Sequence, residues 1–395
     1  MTHNTFNKKK WRTVSLEELV VKKEETERNA QLAGFTKFIK VVHFDKNSLH
    51  IKRWGNIIED DLPPTFYKVF RNGQMLYPTR NPHLQRAALA EFDGICGEKT
   101  LTLEPLANQA DKRFLPFLMQ SGLFISHATN CIIGSTNPHV RWRDVAKLKF
   151  KLPPLDEQKR LADLLWSVDE GIMSYEMLLS QLLRTRSAVL KSIYSDKSFK
   201  ELKIADLPIK EINGMWKTDE ANDAMQVSII RSTEIQPYGE IAYDTAQKHM
   251  VKKAQFANKK LTPGDIIVER SGGGPDQPVG RVCYFDKEVG EYTFSNFTSV
   301  IRVQDQNEVL PQYLFNFLLF FYEMKGTDRL QKQTTGIRNL DYDLYRKIKF
   351  PLRSKKEQEE CIDVAEEINM NRKNIVSQIR VIRDIQKQII NQIFG

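Results

Sequence analysis

The sequence contains no run of about 18 apolar residues, so no segment is long enough to cross a membrane as a helix. Its N-terminal Lys8-Lys9-Lys10 is not followed by the apolar stretch of a secretory signal. The four cysteines, Cys96, Cys131, Cys283 and Cys361, stand far apart, without the paired spacing of a zinc site. We therefore expect a cytoplasmic protein whose cysteines are reduced and mostly buried.

Catalytic motifs are also missing. The sequence has no phosphate-binding loop, no dinucleotide-binding glycine pattern, no His-Glu-x-x-His and no Asn-Pro-Pro-Tyr/Phe motif of amino-methylating enzymes. Ser271–Gly274 is glycine-rich, but Pro275 follows it, which favours a flexible loop over a phosphate cradle. Glu269 is the nearest candidate for a nuclease-like carboxylate, although its place at a strand end favours an exposed charge. These absences favour a binding protein, and a nuclease with a hidden site remains an alternative.

Positive charge is concentrated in residues 1–150, which hold 23 Lys and Arg against 15 Asp and Glu. Residues 197–350 are nearly balanced, with 22 against 21. A basic domain suggests an anionic partner, but a solvated basic surface has the same composition. Charge alone does not separate the two.

Two segments 200 residues apart share one apolar pattern. Apolar residues recur at alternating steps of four and three, the heptad pattern of a helix that buries one narrow stripe against another helix. The stripe consists of Leu161, Leu165, Val168, Ile172, Leu179 and Leu182 in the first segment and Ile375, Ile379, Ile382 and Ile389 in the second. A polar interruption also recurs, as Arg186 and Gln386. The matched stripes predict two long helices that pair head to tail.

Proline-containing breaks precede both helices. Asp156 is predicted to cap the first helix, and Ser354 with Glu357 forms a capping box for the second. Roughly 38 residues at about 1.5 Å each give a rod of about 57 Å, long enough to hold two domains apart. A helix hairpin inside one compact core is the alternative.

The repeat extends into the segments around each helix start. Lys147–Phe150 matches Lys347–Phe350, and Glu157-Gln158 matches Glu357-Gln358. We therefore predict a duplicated module with internal pseudo-twofold symmetry. Its segments are a first domain (1–152), a central long helix (153–196), a second domain (197–350) and a C-terminal long helix (351–395).

The two domains mix strand-like and helical runs without regular alternation, which favours an α+β fold over a doubly wound sheet. Strands are predicted at 38–42, 99–103, 226–230, 265–268, 280–285 and 298–303. Helices are predicted at 114–121 and 313–323.

In the first domain, a polar loop is predicted to contact the partner. Residues 80–86 hold five polar side chains around a proline that fixes the loop. They are Arg80, Asn81, His83, Gln85 and Arg86. Arginine can make a bidentate contact with guanine, and Asn or Gln with adenine. A solvated surface loop is an equally good interpretation.

In the second domain, the candidates surround a glycine run. Glycine lets a backbone approach a ligand closely, and a neighbouring arginine can reach a phosphate or a base. The candidates are Arg270, Ser271, Gly272, Gly273 and Arg281, together with Thr334, Thr335 and Arg338 just before the second helix. A mobile hairpin tip and turn-capping hydroxyl groups are the structural alternatives.

The start of the first helix, Leu152-Pro-Pro-Leu-Asp-Glu-Gln158 after a strand ending in Phe150, resembles the specificity subunits of type I restriction-modification systems. Gly264–Gly272 and Gln333–Leu340 are similar to the same family, and the resemblance covers the whole chain. The second helix start departs from the pattern. The first domain lacks Gly-Asp-Ile, and Arg71–Leu76 stands in its position.

This resemblance implies a non-catalytic subunit that selects the DNA site for a multisubunit enzyme in the cytoplasm of a prokaryote, as part of phage defence. Two target-recognition domains would each read one half of a bipartite double-stranded site, separated by an antiparallel coiled coil. Two methyltransferase subunits would supply S-adenosylmethionine, and restriction subunits would use ATP and Mg²⁺. An adaptor with two protein-binding domains is the alternative, favoured by the nearly neutral second domain. The recognised sequence and the spacer length do not follow from the residues.

Overall fold

The computed structural model describes residues 6–196, 198–215, 223–274, 277–334 and 337–395. The chain forms two compact units, Met1–Met177 with Val376–Gly395, and Leu178–Ile375. Each unit contains a globular part and a portion of each long helix. The division into segments at residues 152, 196 and 350 remains a prediction.

Over the described residues of the first half, ten strands and three short α-helices precede a long helix. The strands are β1 (Arg12–Ser15), β2 (Val20–Lys23), β3 (Lys37–Ile39), β4 (Gly55–Asn56), β5 (Phe66–Phe70), β6 (Met75–Pro78), β7 (Ala88–Leu89), β8 (Gly94–Gly97), β9 (Thr100–Pro105) and β10 (Lys149–Leu152). The helices are α1 (Leu115–Leu118), α2 (Gly122–Asn130), α3 (Trp142–Val145) and the long α4 (Leu155–Tyr194).

The second half has a related order over the described residues, with additional strands and with helices placed among the strands. Its strands are β11 (Lys200–Lys203), β12 (Ile209–Asn213), β13 (Ala224–Ile230), β14 (Gln247–Lys252), β15 (Ile266–Glu269), β16 (Ser271–Gly273), β17 (Val282–Tyr284), β18 (Tyr292–Phe294), β19 (Thr298–Val303), β20 (Gln331–Thr334), β21 (Ile337–Leu340) and β22 (Lys349–Leu352). Its helices are α5 (Lys253–Lys259), α6 (Pro311–Glu323), α7 (Tyr342–Tyr345) and the long α8 (Lys355–Phe394).

The sheet topology confirms the α+β class and the internal repeat. One four-stranded sheet has the order β2-β9-β6-β7 in the first unit, and its counterpart in the second unit has the order β12-β19-β15-β17. A second sheet contains the parallel pair β3 and β8, whose counterpart is β13 and β18. Antiparallel β1-β10 and β11-β22 precede the two long helices. The second unit also contains the three-stranded sheet β16-β21-β20.

The missing Gly-Asp-Ile of the first unit has a structural substitute. Gly73 and Gly264 both adopt positive φ just before equivalent strands. The Gln74 side chain accepts from the backbone N–H of Arg71 at 3.0 Å, as the Asp265 carboxylate accepts from Thr262 at 2.8 Å. An amide and a carboxylate close the same turn because each has an oxygen that accepts one hydrogen bond.

The same buried glutamine fastens each long helix to the globular part of its unit. Gln158 is 1% exposed; its amide donates to Pro153 O at 2.9 Å and accepts from Asp111 N at 2.8 Å. Gln358 is 0% exposed; it donates to Arg353 O at 2.9 Å and accepts from Leu310 N at 2.8 Å. A buried amide with its partners in place fixes where each helix begins.

The long helices run antiparallel within each unit. In the first unit, Asp169 of α4 bonds Gln386 of α8, and Glu176 further along α4 pairs with Arg383 earlier in α8. In the second unit, Tyr194 shares a core with Cys361, while Arg186 and Arg372 both lie over the Tyr238 ring. This order of contacts agrees with the predicted head-to-tail pairing.

The predicted stripe is protected from solvent and is narrow along the middle of both helices, but it widens at the helix ends. Leu161, Leu165, Ile172 and Ile379 are buried, and the remaining stripe residues are half-buried. The helices also bury Ala162, Trp166, Leu190, Ile390 and Phe394. These extra residues pack into the hydrophobic core of each globular part. The ends of the two long helices therefore belong to compact cores.

Polar side chains interrupt the stripe and link it to the globular parts. The buried Gln386 amide donates to Asp169 at 3.2 Å, and His50 lies 2.6 Å from the second oxygen of Asp169. The hydrogen bond with Asp169 raises the pKa of His50, and Glu91 adds to the effect. In the second unit, Arg186 pairs with Glu323 at 2.5 Å.

Local predictions divide into confirmed and corrected ones. The capping box of Ser354 and Glu357 is present, but α4 begins at Leu155, so Asp156 lies inside the first turn and is not the cap. The helix predicted at 114–121 is interrupted because Ser121 caps α2 by accepting from Phe124 N. The helix at 313–323 and the six strands are present, with ends displaced by a few residues.

The cysteine prediction is confirmed: Cys96, Cys283 and Cys361 are buried, Cys131 is half-buried, and all four are free thiols. Among the described residues, no helix is long and apolar enough to cross a membrane.

Removing either glutamine should destabilise its unit. We expect Gln158→Ala and Gln358→Ala each to lower the free energy of unfolding by about 1–3 kcal/mol, because buried backbone groups lose their partners. Denaturant unfolding of the purified chain measures this. Gln181→Ala and Gln378→Ala, at exposed positions of the same helices, are the matched controls and should change it by less than about 0.5 kcal/mol. Equal effects at buried and exposed positions would contradict the fastening role.

Candidate nucleic-acid interface

In each unit, the structure brings together two candidate segments that are distant in sequence. In the first unit, Arg80 forms an antiparallel bridge with His139, and Val140 N donates to Thr79 O at 3.0 Å. In the second unit, Ser271 pairs with Asn339, and Leu340 N donates to Arg270 O at 2.8 Å. The two arrangements are equivalent within the repeat.

The loop of residues 80–86 is held in one conformation by its backbone. Asn81 and Gln85 both have positive φ, at 53° and 54°, on either side of a short 3-10 helix that begins at the buried Pro82. Non-glycine residues seldom adopt this conformation, and such strain concentrates at functional sites. The surrounding fold therefore holds this loop in a backbone conformation that non-glycine residues seldom adopt.

The side chains of this loop are available to a ligand. Arg80, Asn81 and His83 are exposed, and Gln85 and Arg86 are half-buried. In the described part of the chain, none of these five side chains has a hydrogen-bond or ion-pair partner. Cationic side chains that form no ion pair within the protein can instead bind an anionic ligand.

The glycine run of the second unit is a strand, so the prediction of a flexible loop is wrong. β16 pairs with β21, with a bulge between Ser271 and Gly273. The Ser271 hydroxyl donates to the Asn339 side chain at 2.6 Å. A Cβ on Gly273 would lie 2.6 Å from Gln277 O, and Gly272 has a φ of +108°. The close approach of Gln277 O therefore explains the glycine at position 273, and the positive φ explains the one at position 272. Neither requires a bound phosphate group.

Arg270 and Arg338 flank this strand. The Arg270 guanidinium carbon lies 3.6 Å from the centre of the Tyr342 ring, and its buried Nε has no hydrogen-bond partner in the described ranges. Burial lowers the pKa of Arg270. Arg338 is half-buried in β21 opposite Gly273. Thr334 ends β20, and Thr335 lies outside the described residues.

Arg281 has a structural role in the second unit. It donates to both oxygens of Glu269, at 2.9 and 2.6 Å, and to the carbonyl oxygens of Ser232 and Ile235. Glu269 is 1% exposed, so the expectation of an exposed charge is wrong, because Arg281 neutralises it inside the unit. A carboxylate engaged in this way is no longer the nearest candidate for a nuclease site.

No described group of three or more His, Cys, Asp or Glu side chains is placed to hold a metal ion. The sequence prediction also missed a basic segment of the second unit. Residues 247–260 contain five lysines and no acidic residue. The charge count over residues 197–350 did not reveal this segment, because acidic residues elsewhere in that range balance its lysines.

The sequence matches the model of a known protein family. The model of the type I restriction modification DNA specificity domain matches twice, at residues 8–183 and 197–393. The chain belongs to this family. The two matches correspond to the two copies of the internal repeat.

Individual relatives align over shorter stretches. The type I restriction enzyme EcoDI specificity subunit of Escherichia coli is 27% identical over 127 residues, 30% of this chain and 27% of that protein. The MjaVIII specificity subunit of Methanocaldococcus jannaschii is 28% identical over 91 residues, 23% of this chain and 21% of that protein. The chain therefore aligns with only about a quarter of each of these relatives.

Solved structures resemble the fold over nearly the whole chain. The type I restriction-modification S subunit of M. genitalium has a TM-score of 0.56 and 14% identity, covering 100% of this chain and 98% of that one. A chain from a study of complex assembly and conformational transition in the type I system has a TM-score of 0.58 and 15% identity, covering 96% of both chains. At these identities the likeness concerns the fold alone.

Replacing Arg281 with alanine should destabilise the second unit. We expect the free energy of unfolding to fall by about 3–5 kcal/mol, because Glu269 would remain buried without its partner. Thermal and denaturant unfolding measure the loss, and Arg329→Ala, at an exposed arginine of the same unit, is the control. A stable Arg281→Ala protein with weakened ligand binding would instead identify Arg281 as a contact residue.

Proposed function

We propose that this chain is the sequence-specific DNA-binding subunit of a type I restriction-modification complex, and that each unit reads one half of a bipartite double-stranded site. The observation that carries this proposal is the equivalent pairing of Arg80 with His139 in the first unit and of β16 with β21 in the second. Both copies of a duplicated module present polar side chains at the same place in the fold, as two readers of two half-sites require.

The chemistry of the loops supports base and phosphate contacts. Arg80 and Arg86 would supply bidentate or phosphate contacts, and Asn81 and Gln85 would supply amide contacts to base edges. In the second unit, Arg270, Arg338, Ser271 and the β16 backbone would do the same. Basic side chains would give salt-sensitive affinity, and loop side chains would give discrimination.

The long helices would fix the spacing of the half-sites and dock two methyltransferase subunits. Apolar side chains are exposed along both helices, and docked subunits would cover them. They are Leu164, Met177, Val381 and Ile385 in the first unit and Leu178, Val364 and Met370 in the second. S-adenosylmethionine would bind to the methyltransferase subunits, and ATP and Mg²⁺ to restriction subunits. This chain would have no catalytic activity and would act in the cytoplasm.

Mapping methylated adenines in the DNA of cells that carry the complete system tests the proposal. We expect one bipartite, asymmetric motif that disappears when this chain is deleted. A methylation pattern independent of the chain would overturn the proposal.

An adaptor that binds proteins through both globular parts is the second candidate, favoured by the nearly neutral composition of residues 197–350. A gel shift with random duplexes at rising salt separates the two, because DNA affinity falls steeply with salt. No binding in the presence of the methyltransferase subunits would favour the adaptor. Metal-dependent cleavage by the purified chain would identify a nuclease.

Arg80→Ala should alter one half-site only. We expect a loss of about 1–3 kcal/mol in discrimination at one base pair if Arg80 contacts guanine in a bidentate manner, with the other half-site unchanged. The methylation profile and competition binding measure this. Arg28→Ala, at an exposed arginine elsewhere in the first unit, is the control. Unchanged preference in Arg80→Ala would remove the loop from the reading surface. Arg270 is a poorer probe because its side chain packs on Tyr342.

A further inference from the structure

The second unit has a long edge strand that the first unit lacks. β14 pairs with β13 over six residues and lies at the edge of the sheet β14-β13-β18. Its counterpart in the first unit, β4, has two residues. Two-stranded antiparallel ribbons fit the major groove of B-DNA, so the extra strand is a candidate contact surface.

β14 is the first part of the basic segment 247–260. Lys248, Lys252 and Lys253 lie within or beside β14, Lys259 ends α5 and Lys260 follows it. Lys253 pairs with Asp223, Lys259 bonds Gly214 O and Lys260 pairs with Glu291, whereas Lys248 is exposed and has no ion-pair or hydrogen-bond partner in the described ranges. Lys248 is therefore the lysine of this segment whose charge is available to an anionic ligand at the edge.

A cavity of about 500 Å³ opens beside the strand. Gln247, His249, Asn296 and Phe297 line it, and Ile229 contributes apolar surface. The Phe297 side chain is 43% exposed, an unusual state for a large aromatic residue beside a cavity. Aromatic rings, amides and an apolar wall are the groups with which proteins contact nucleobases.

The amide of Gln247 has a defined orientation. Its oxygen accepts from Arg231 at 3.2 Å, and Arg231 is held by two bonds to the buried Glu234, at 3.1 and 2.8 Å. The Gln247 NH₂ group therefore remains to donate to an acceptor on a base edge. An amide held by a rigid neighbour discriminates better than a mobile one, because less entropy is lost on binding.

The cavity adjoins the predicted reading strand. Arg270 N and Ser271 N both donate to Phe297 O, at 2.8 and 3.2 Å. Ser232 Oγ lies 3.9 Å from the position that a Cβ on Gly272 would occupy. The glycine strand, the cavity and β14 thus form one continuous surface within the second unit.

We propose that β14 and the adjoining cavity contact duplex DNA in the half-site read by the second unit. Gln247 and Asn296 contact base edges, the Phe297 ring packs against a thymine methyl group, and Lys248, on the other face of the edge strand, contacts a flanking phosphate. This inference rests on the proposed function, and it implies that the second unit adds an edge strand to the contacts of β16, whereas the first unit has no equivalent long strand.

The test uses the complete chain assembled with its methyltransferase subunits. Gln247→Ala and Asn296→Ala should relax base preference in one half-site and leave the other unchanged. Lys248→Ala should weaken binding evenly across sequences and reduce the slope of log K against log salt by about 1. The matched controls are Gln306→Ala and Lys210→Ala, exposed residues of the same unit, with Lys210 on the edge strand β12. Thermal unfolding checks that every variant is folded.

Two results would overturn the inference. The first is an unchanged methylation profile in folded Gln247→Ala and Asn296→Ala, with Lys248→Ala equal to Lys210→Ala. The second is an equal loss of preference in both half-sites. In either case, a wild-type complex that still methylates a bipartite motif would leave the proposed function standing, whereas a wild type without sequence preference would refute that function instead.

Discussion

The buried amides of Gln158 and Gln358 are the constraint on which each unit depends. Each lies in the first turn of a long helix, donates to the backbone just before the helix, and accepts from a loop of the globular part. Breaking one of these contacts would leave polar backbone groups unpaired in the interior, which costs more than the bond itself contributes. The direction in which each helix leaves its globular part is therefore fixed by hydrogen bonding, and hydrophobic packing around it supplies most of the remaining stability.

Duplication gives two copies of this fastening and two globular parts that share one topology. The two units differ outside this shared frame. The first unit has a loop with two residues at positive φ and with cationic side chains that have no partner among the described residues, whereas the second has a glycine strand, a buried Glu269–Arg281 pair and a long basic edge. Under the proposed function, a shared frame with different edges would allow one architecture to read two different half-sites.

The helices, the repeat and most strands could be predicted from the sequence because each depends on local periodicity. The stripe from Leu161 to Leu182 is an example. The extra burial of Trp166 and Phe394 could not be predicted, because it depends on aromatic residues of the globular parts. Likewise, the burial of Glu269 could not be predicted, because it depends on Arg281, twelve residues away, which neutralises its charge. Both candidate loops were predicted separately, but their pairing with residues 139 and 339 is a product of tertiary structure. The family resemblance is confirmed, while the roles of single contact residues remain predictions.

The central claim is that one chain carries two readers at a spacing set by its long helices. Deleting one heptad from each helix at equivalent positions, residues 176–182 and 376–382, and mapping the methylated sites tests this claim most directly. Seven residues correspond to about 10 Å of helix, or about three base pairs of B-DNA. The account predicts the same two half-site sequences with a spacer shorter by about that amount. The original spacer with both half-sites intact would contradict it.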